Sequence, residues 1–270
     1  MPEIETIKDF EKLITVASLV EDFQALGVPE TDTLLVHSSL SALGWVSGGA
    51  QAVIEALIQS MGEGGTLVLP AHSAVLSNPA NWINPPVRSD WWEPIRASMP
   101  AFHPHLTPTR AVGVIPELFR SQPDVQRSNH PAYSFAARGP LAARILAEHR
   151  LEDGFGETSP LAALYDLDAA ILLLGVGYES CTMLHLAERR AAGKDAPSVR
   201  EGAPILENGQ RVWKEYDEPS VSSDDFAALG TDFESDKIGI KVGCAGRSQS
   251  RLISASALVD FAVPWLKEHR

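Results

Sequence analysis

The sequence has little cysteine and no long apolar run, and each shortage excludes a class of protein. Its 270 residues include two cysteines, Cys181 and Cys244, too few for a disulfide framework, so we expect a cytoplasmic setting that keeps thiols reduced. No apolar run approaches the roughly 20 residues that a membrane-spanning helix needs. The opening Met1–Thr6 is acidic and lacks the basic and apolar regions of a signal peptide. These absences predict a protein that works without a membrane.

Positive charge is also scarce. The 22 Lys and Arg residues face 35 Asp and Glu residues, which gives a formal net charge of -13. Nucleic acid is therefore not an expected partner, because binding it requires a basic face. An acidic protein attracts cationic ligands and raises their encounter rate, although acidity can equally serve solubility alone. The charge supports a small cationic substrate only where a separate observation points to one.

Several catalytic signatures are missing as well. The sequence contains no Gly-x-Ser-x-Gly elbow, no Walker A loop and no His-Glu-x-x-His motif. Gly175–Ser180 is one residue short of the dinucleotide-binding fingerprint, and no acidic residue ends a second strand about 20 residues later. His185 with Glu188 has the spacing of two metal ligands, but no third or fourth ligand is indicated. We therefore predict neither a nicotinamide or flavin cofactor nor a metal.

Short apolar runs alternate with glycine-bounded helical patterns, which predicts an α/β fold in a single domain spanning residues 1–270. The expected strands are 32–40, Thr66–Pro70, 135–139, Ala169–Leu174 and 210–213, the last after an Asn208–Gly209 hairpin signal. The expected helices are 19–26, 52–61, 111–119, 141–149, 161–164 and 182–192, with one near Phe226 and a last one beginning at Ser254 or Ser256. An acidic loop is expected over 215–225.

Residues 72–109 interrupt this alternation. The segment holds seven of the 19 prolines and three of the six tryptophans. Proline forbids long regular elements, and a loop of this length inside a compact domain is usually functional. We predict a substrate-site insertion, with the alternative that its aromatic side chains merely bury themselves against the sheet.

The apolar run Ala169–Leu174 ends at a turn made by Gly175 and Gly177, and a helical pattern follows. His185 and Glu188 share one face of that helix, just beyond the carboxyl end of a central strand. Ligands bind at this edge of open α/β sheets. His185 is therefore a candidate general base.

Twelve further segments carry a family resemblance in order along the chain. They are His37–Gly44 (HSSLSALG), Gly48–Gly49, Gly65–Pro70, Thr109–Gly113 (TRAVG), Pro116–Arg120, Arg127–Pro131, Ser134–Gly139 (SFAARG), Ser159–Leu161, Leu173–Gly177, Thr182–Glu188 (TMLHLAE), Lys241–Gly243 and Ala257–Leu266. In these segments the sequence resembles the aminoglycoside 3-N-acetyltransferase family. The resemblance implies a three-layer α/β/α sandwich around a mostly parallel or mixed sheet, distinct from the GNAT acetyltransferase fold. It also implies transfer of an acetyl group from acetyl-CoA to an amine, typically the 3-amino group of an aminoglycoside.

The resemblance also implies roles for particular residues. His185 matches the catalytic histidine of the family. The carboxylate that orients it stays open, with Glu188 as the local candidate and Asp217, Asp224 and Asp225 as others in the acidic loop. The residues implied on the path of acetyl-CoA are Ser38, Ser39, Leu40, Thr109, Arg110, Val112 and Gly113, with Thr109 beside a helix N-terminus that suits the diphosphate. Asp217, Asp224 and Asp225 fall in the acidic loop that helps form the aminoglycoside site in the family, although each could equally be a solvated turn residue.

One departure concerns Cys181, which stands where the family usually has Asn. It could be a packing substitution, could alter the substrate preference or could serve as an acetyl-carrying nucleophile. Two other readings of the chain stay open at this point: the same chemistry on another amine, and a non-enzymatic protein that binds cationic ligands. A homodimer is one assembly that the sequence allows.

Overall fold

A seven-stranded mixed sheet runs through the computed structural model, which describes residues 12–30, 32–193, 196–236 and 238–270. The predicted absence of a signal peptide concerns Met1–Thr6, which lie outside these residues. Within the described ranges, no helix is long and apolar enough to cross a membrane.

The strands lie in two sheets. They are β1 (Thr33–Ser38), β2 (Thr66–Pro70), β3 (Gln126–Arg127), β4 (Phe135–Arg138), β5 (Ala170–Leu174), β6 (Ser198–Glu207), β7 (Gln210–Pro219), β8 (Ile240–Ala245) and β9 (Ser248–Ser254). The main sheet has the order β3-β4-β2-β1-β5-β9-β8, and β6 pairs with β7 as a separate antiparallel hairpin. In the main sheet β1 is parallel to β2 and β5, whereas β4 and β9 join antiparallel to those two neighbours. The predicted mixed sheet is confirmed.

Ten α-helices connect or flank the strands of the described chain. They are α1 (Val16–Leu26), α2 (Leu40–Leu43), α3 (Gly49–Met61), α4 (Trp92–Ser98), α5 (Val114–Arg120), α6 (Ala142–Ile145), α7 (Pro160–Asp166), α8 (Met183–Ala192), α9 (Phe226–Asp236) and α10 (Ala255–His269). Thr15 caps α1, and the Thr15 and Ser18 side chains each accept a hydrogen bond from the other's backbone N–H.

The central strands bury both faces, and this divides the core into two halves. Along β1, Leu34 and Val36 join the half that holds α1, α3 and α5, while Leu35 joins the half that holds α7 to α10. Successive side chains of a strand point to opposite faces, so a strand covered on both sides reads as a continuous apolar run. The helices on the two faces complete the predicted three-layer sandwich.

The structure corrects several predicted boundaries. The helix expected at 111–119 begins at Val114, because Ala111 and Gly113 adopt left-handed backbone conformations with φ of 64° and 87°. The helix expected over 141–149 shrinks to α6, since His149 instead bonds to Ser128 and to the Gly154 carbonyl oxygen. The strand expected at 210–213 continues to Pro219, so the first part of the expected acidic loop is strand.

Residues 72–109 pack along the β6–β7 hairpin. The Asn78 side chain donates to the Arg200 carbonyl oxygen at 3.1 Å, and the Phe102 N–H donates to the Pro204 carbonyl oxygen at 2.8 Å. The Arg211 side chain closes the contact by donating to the Met99 carbonyl oxygen at 3.1 Å. The segment and the hairpin therefore form one structural unit beside the sheet.

Candidate active site

A cavity of about 1290 Å³ opens at the carboxyl ends of β1, β2 and β5. One wall is the segment that follows β1, the second is the turn from Ala111 into α5, and the third is the start of α8. The side chains of Tyr133, Phe155 and His185 also line the cavity. The site lies at the sheet edge where α/β folds bind ligands, which is where the sequence placed it.

His185 and Glu188 form a hydrogen-bonded dyad on α8. Their spacing of three residues puts both side chains on one helical face, and His185 Nδ1 lies 2.8 Å from Glu188 Oε2. Glu188 Oε1 accepts from the Ser222 N–H at 2.8 Å and from Arg270 Nη1. Burial alone would raise the pKa of Glu188, but the hydrogen bonds from these three residues lower it below its ordinary value. An ionised carboxylate only accepts, so in the neutral form of the His185 imidazole Nδ1 carries the proton and Nε2 has the lone pair.

Two aromatic rings pack against the His185 imidazole. The Phe155 ring stacks on it at 4.8 Å with an interplanar angle of 23°, and the Phe226 ring lies 4.9 Å away. The imidazole therefore has a fixed plane as well as a fixed tautomer.

Two more histidines line the cavity, and both are neutral. Burial first, and then the charge of His185, lowers the pKa of His37 to about 3. Burial also dominates at His72, whose pKa falls to about 3. His37 Nε2 lies 3.3 Å from the Thr182 hydroxyl, which holds that hydroxyl at the cavity wall. His37 therefore acts as a neutral hydrogen-bonding group, whereas the buried Nε2 of His72 has no partner among the described residues.

The structure brings together five of the seven residues expected on the acetyl-CoA path. Ser38, Ser39, Leu40, Val112 and Gly113 line the cavity. The buried Ser38 hydroxyl oxygen has no hydrogen-bond partner within the described chain.

The other two residues of that path do not line the cavity. The Thr109 N–H and hydroxyl both donate to Glu117 Oε2 at 2.7 Å, and the Arg110 side chain is exposed. Their contact with the cosubstrate stays a prediction.

The three aspartates expected in the substrate site lie apart from one another. Asp217 faces outward on β7 and pairs with Arg200 at 3.3 Å. Asp224 is exposed, and both carboxylate oxygens of Asp225 accept hydrogen bonds from Arg270, at 2.6 and 2.7 Å. Neither Asp224 nor Asp225 lines the cavity, whereas Ser223 beside them does. Their predicted contact with a substrate stays a prediction.

Sequence reasoning missed the inward-facing carboxyl group of the same strand. Side chains of β7 alternate, so Tyr216 and Glu218 are buried while Asp217 between them is exposed. Burial, followed by the neighbouring Glu201, raises the pKa of Glu218 to about 8. Burial and then the charges of Glu218 and Glu201 raise the pKa of Tyr133, which lines the cavity. Extending the predicted strand to Pro219 would have identified Glu218.

Cys181 lines the cavity but is poorly suited to a nucleophilic role. Its side chain is 1% exposed, and burial raises the pKa of the thiol to about 12, although the backbone N–H groups of Met183 and Leu184 point at the sulfur. The thiolate is the reactive form of cysteine, and it is not populated here near neutral pH.

A substitution at this position tests the thiol directly. We expect Cys181→Ala to lower kcat/KM by less than about tenfold, because the change removes packing and not a reacting group. Thiol release from acetyl-CoA measures the rate. A loss of about a thousandfold or more would instead make Cys181 a nucleophile.

Within the described ranges, no three His, Cys, Asp or Glu side chains lie close enough together to hold a metal ion. The cavity wall itself carries the His185 imidazole and the hydroxyl groups of Ser38, Ser39 and Thr182.

Comparison with known proteins gives consistent relatives along almost the whole chain. A family model described as aminoglycoside 3-N-acetyltransferase matches residues 35–267. Over 252 residues the chain is 49% identical to the SPbeta prophage-derived aminoglycoside N(3')-acetyltransferase-like protein YokD of Bacillus subtilis (strain 168), covering 93% of this chain and 92% of that protein. Over 286 residues it is 34% identical to aminoglycoside N(3)-acetyltransferase VII of Streptomyces paromomycinus, covering 99% and 96%.

Solved structures agree with this pattern. The crystal structure of YokD from Bacillus subtilis matches with a TM-score of 0.95 and 46% identity, covering 98% of this chain and 97% of that one. AAC-IIIb in a binary complex with CoASH matches with a TM-score of 0.84 and 30% identity, covering 96% and 98%. AAC-VIa bound to sisomicin matches with a TM-score of 0.83 and 29% identity, covering 96% and 100%.

Proposed function

Because the chain belongs to the aminoglycoside 3-N-acetyltransferase family, a family of acyltransferases, we propose that it moves the acetyl group of acetyl-CoA directly onto the 3-amino group of an aminoglycoside, with His185 as the base. Acetyl-CoA is the cosubstrate of aminoglycoside acetyltransferases, and structural neighbours are described with CoASH and with sisomicin. The observation that carries the proposal is the His185–Glu188 dyad, whose imidazole lines a cavity of about 1290 Å³.

The first step is removal of a proton from the acceptor. An amine must have a free lone pair before its nitrogen can attack a thioester. His185 Nε2 has the lone pair that takes this proton, because Glu188 holds the Nδ1–H. As the imidazole becomes positive, the carboxylate 2.8 Å away stabilises it.

Attack by the amine nitrogen forms the new C–N bond and puts negative charge on the thioester oxygen. Hydroxyl groups in the cavity wall can donate to that oxygen. The buried Ser38 hydroxyl has no partner among the described residues, and the Thr182 hydroxyl lies 3.3 Å from His37 Nε2. Cleavage of the C–S bond then releases CoA as a thiolate, which takes the second proton of the attacking nitrogen and leaves the acetylated amine. The proton held by His185 returns to solvent, and no covalent intermediate on the protein is required.

The carboxyl groups near the cavity favour an acceptor that carries positive charge. Glu218 and Glu201 lie close enough to Tyr133 to raise the pKa of its phenol, and Tyr133 lines the cavity. An ammonium group bound near Tyr133 would favour the ionised form of Glu218, which burial otherwise disfavours. We also propose that residues 72–109 close the acceptor side, since they pack on the hairpin that carries these carboxyl groups.

The proposal predicts release of free CoA thiol only when an amine acceptor is present. A disulfide reagent that absorbs on thiol release measures the rate with acetyl-CoA and a panel of aminoglycosides, and mass spectrometry locates the new acetyl group. Acetylation only of simple amines would favour a different acceptor class. No thiol release with any amine, at protein concentrations that bind the acceptor, would instead favour a protein that only binds cations.

A further inference from the structure

Arg270 joins the proposed catalytic dyad to a loop that lines the cavity. Its Nη1 donates to Glu188 Oε1, and its Nη2 donates to the Ser222 carbonyl oxygen at 2.8 Å. Its Nε and Nη2 also form a two-pronged pair with the Asp225 carboxylate, at 2.7 and 2.6 Å. One guanidinium group thus contacts α8 and two points of the 222–225 loop.

The contacts form a continuous hydrogen-bonded chain. It runs from the His185 imidazole through Glu188 and Arg270 to Asp225, whose two oxygens are both engaged. Planar guanidinium and carboxylate groups paired at two points fix orientation as well as distance. The pairing therefore limits rotation of Arg270, and Arg270 in turn limits rotation of Glu188.

We propose that Arg270 and Asp225 are positioning residues for acetyl transfer, which hold Glu188 in the orientation and ionised state that His185 needs. The inference rests on the proposed role of His185 as the base. It also gives Asp225 a role different from direct contact with the acceptor. A guanidinium in this place keeps the carboxylate aimed at Nδ1 throughout the reaction.

The charged and titratable groups around the dyad decide the sign of a pH effect. His37 and His72 face His185 from across the cavity and are neutral, while His269 and Arg270 of the C-terminal segment face Asp225. Removing the Arg270 cation leaves less positive charge around His185 and Glu188. The His185 imidazole then takes up a proton more readily, so as the pH falls it becomes protonated, and stops acting as a base, at a higher pH than in the parent protein.

The first test is Arg270→Gln in the full-length protein. We expect kcat to fall about tenfold and the acid limb of the kcat/KM profile to move up by about one pH unit, with the KM for the amine little changed. Arg270→Lys keeps a charge without the planar fork, so it should restore the acid limb while kcat stays reduced. The matched control is Arg138→Gln, because Arg138 pairs with Asp124 away from the cavity and is 33% exposed against 32% for Arg270.

The second test separates positioning from substrate contact. If Asp225 acts through Arg270, the double variant Arg270→Gln/Asp225→Asn is no slower than Arg270→Gln alone. An increased KM for the amine in Asp225→Asn, with additive effects in the double variant, would overturn the proposal and make Asp225 an acceptor ligand.

A measurement without turnover distinguishes this inference from the proposed function. The pH midpoint of the His185 ring signal in an NMR titration, identified by its loss in His185→Gln, should rise in Arg270→Gln. An unmoved midpoint in a folded Arg270→Gln protein would overturn the positioning role, whether or not the protein acetylates amines. A raised midpoint in a protein without transferase activity would support the Arg270 contact and reject the proposed function.

Discussion

We expect replacement of His185 with glutamine to lower kcat/KM by about a thousandfold, which is within the range that a positioned general base contributes. Glutamine suits this test because its amide is flat and fits between the rings of Phe155 and Phe226, where alanine would leave a cavity. It can also hydrogen-bond to Glu188, so the dyad loses its base and little of its packing.

The pH dependence of this variant identifies the missing function. Without a base, transfer depends on the fraction of acceptor amine that is already neutral in solution, and this fraction rises about tenfold per pH unit below the pKa of the amine. The residual rate of His185→Gln should therefore increase steadily with pH, while the acid limb caused by the imidazole disappears. Binding of CoA, measured by calorimetry, should be nearly unchanged. A rate within tenfold of the parent protein would reject His185 as the base.

The reliable sequence predictions are those that depend on local spacing. His185 and Glu188 are three residues apart on one helix, so their contact follows from helix geometry alone. The strands β1, β2 and β5 were predictable because burial on both faces requires continuous apolar runs. The edge strand β8 and its neighbour β9 have no such run, and the sequence did not predict them.

The remaining parts of the site depend on contacts between distant segments. Arg270 lies 82 positions from Glu188, and no periodic pattern connects the two. Asp217 was predicted as a site residue and Glu218 was not, because the predicted strand ended before both of them. Neighbouring residues of a strand point to opposite faces of the sheet, so in β7 Glu218 faces inward and Asp217 faces solvent. The start of α5 was predicted too early because Ala111 has a left-handed backbone conformation, which alanine rarely adopts.

Substitution of Glu188 is expected to have the second large effect on kcat/KM, and the structure predicts an unusual order for the losses caused by two different replacements. Glu188→Gln should lower kcat/KM by more than Glu188→Ala does, even though glutamine is the closer match in shape. The loss expected for the glutamine variant is about a thousandfold or more, comparable with the loss of a base held in the wrong tautomer.

The reason lies in the donors that surround the carboxylate. Ser222 N–H and Arg270 both donate to Oε1, so a glutamine at position 188 places its carbonyl oxygen there. Its NH2 group then faces His185 Nδ1 and donates to it, which moves the imidazole proton to Nε2. Nε2 is the atom that must accept the proton of the amine, so the variant holds the base in its inactive form. Alanine imposes no tautomer, and a fraction of its imidazole keeps a free Nε2.

The predicted order is tested by measuring kcat/KM for the two variants. Each value is corrected for the folded fraction, which thermal denaturation gives. The correction is needed because Glu188→Ala leaves the Arg270 guanidinium with Asp225 and Ser222 as its remaining partners among the contacts described. The glutamine variant should also respond to a second change. The double variant Glu188→Gln/Arg270→Met lacks one of the two donors to the amide oxygen. The amide can then flip so that its oxygen faces His185 Nδ1, and part of the activity should return. Equal rates for Glu188→Gln and the parent protein would show that Glu188 does not set the tautomer of His185.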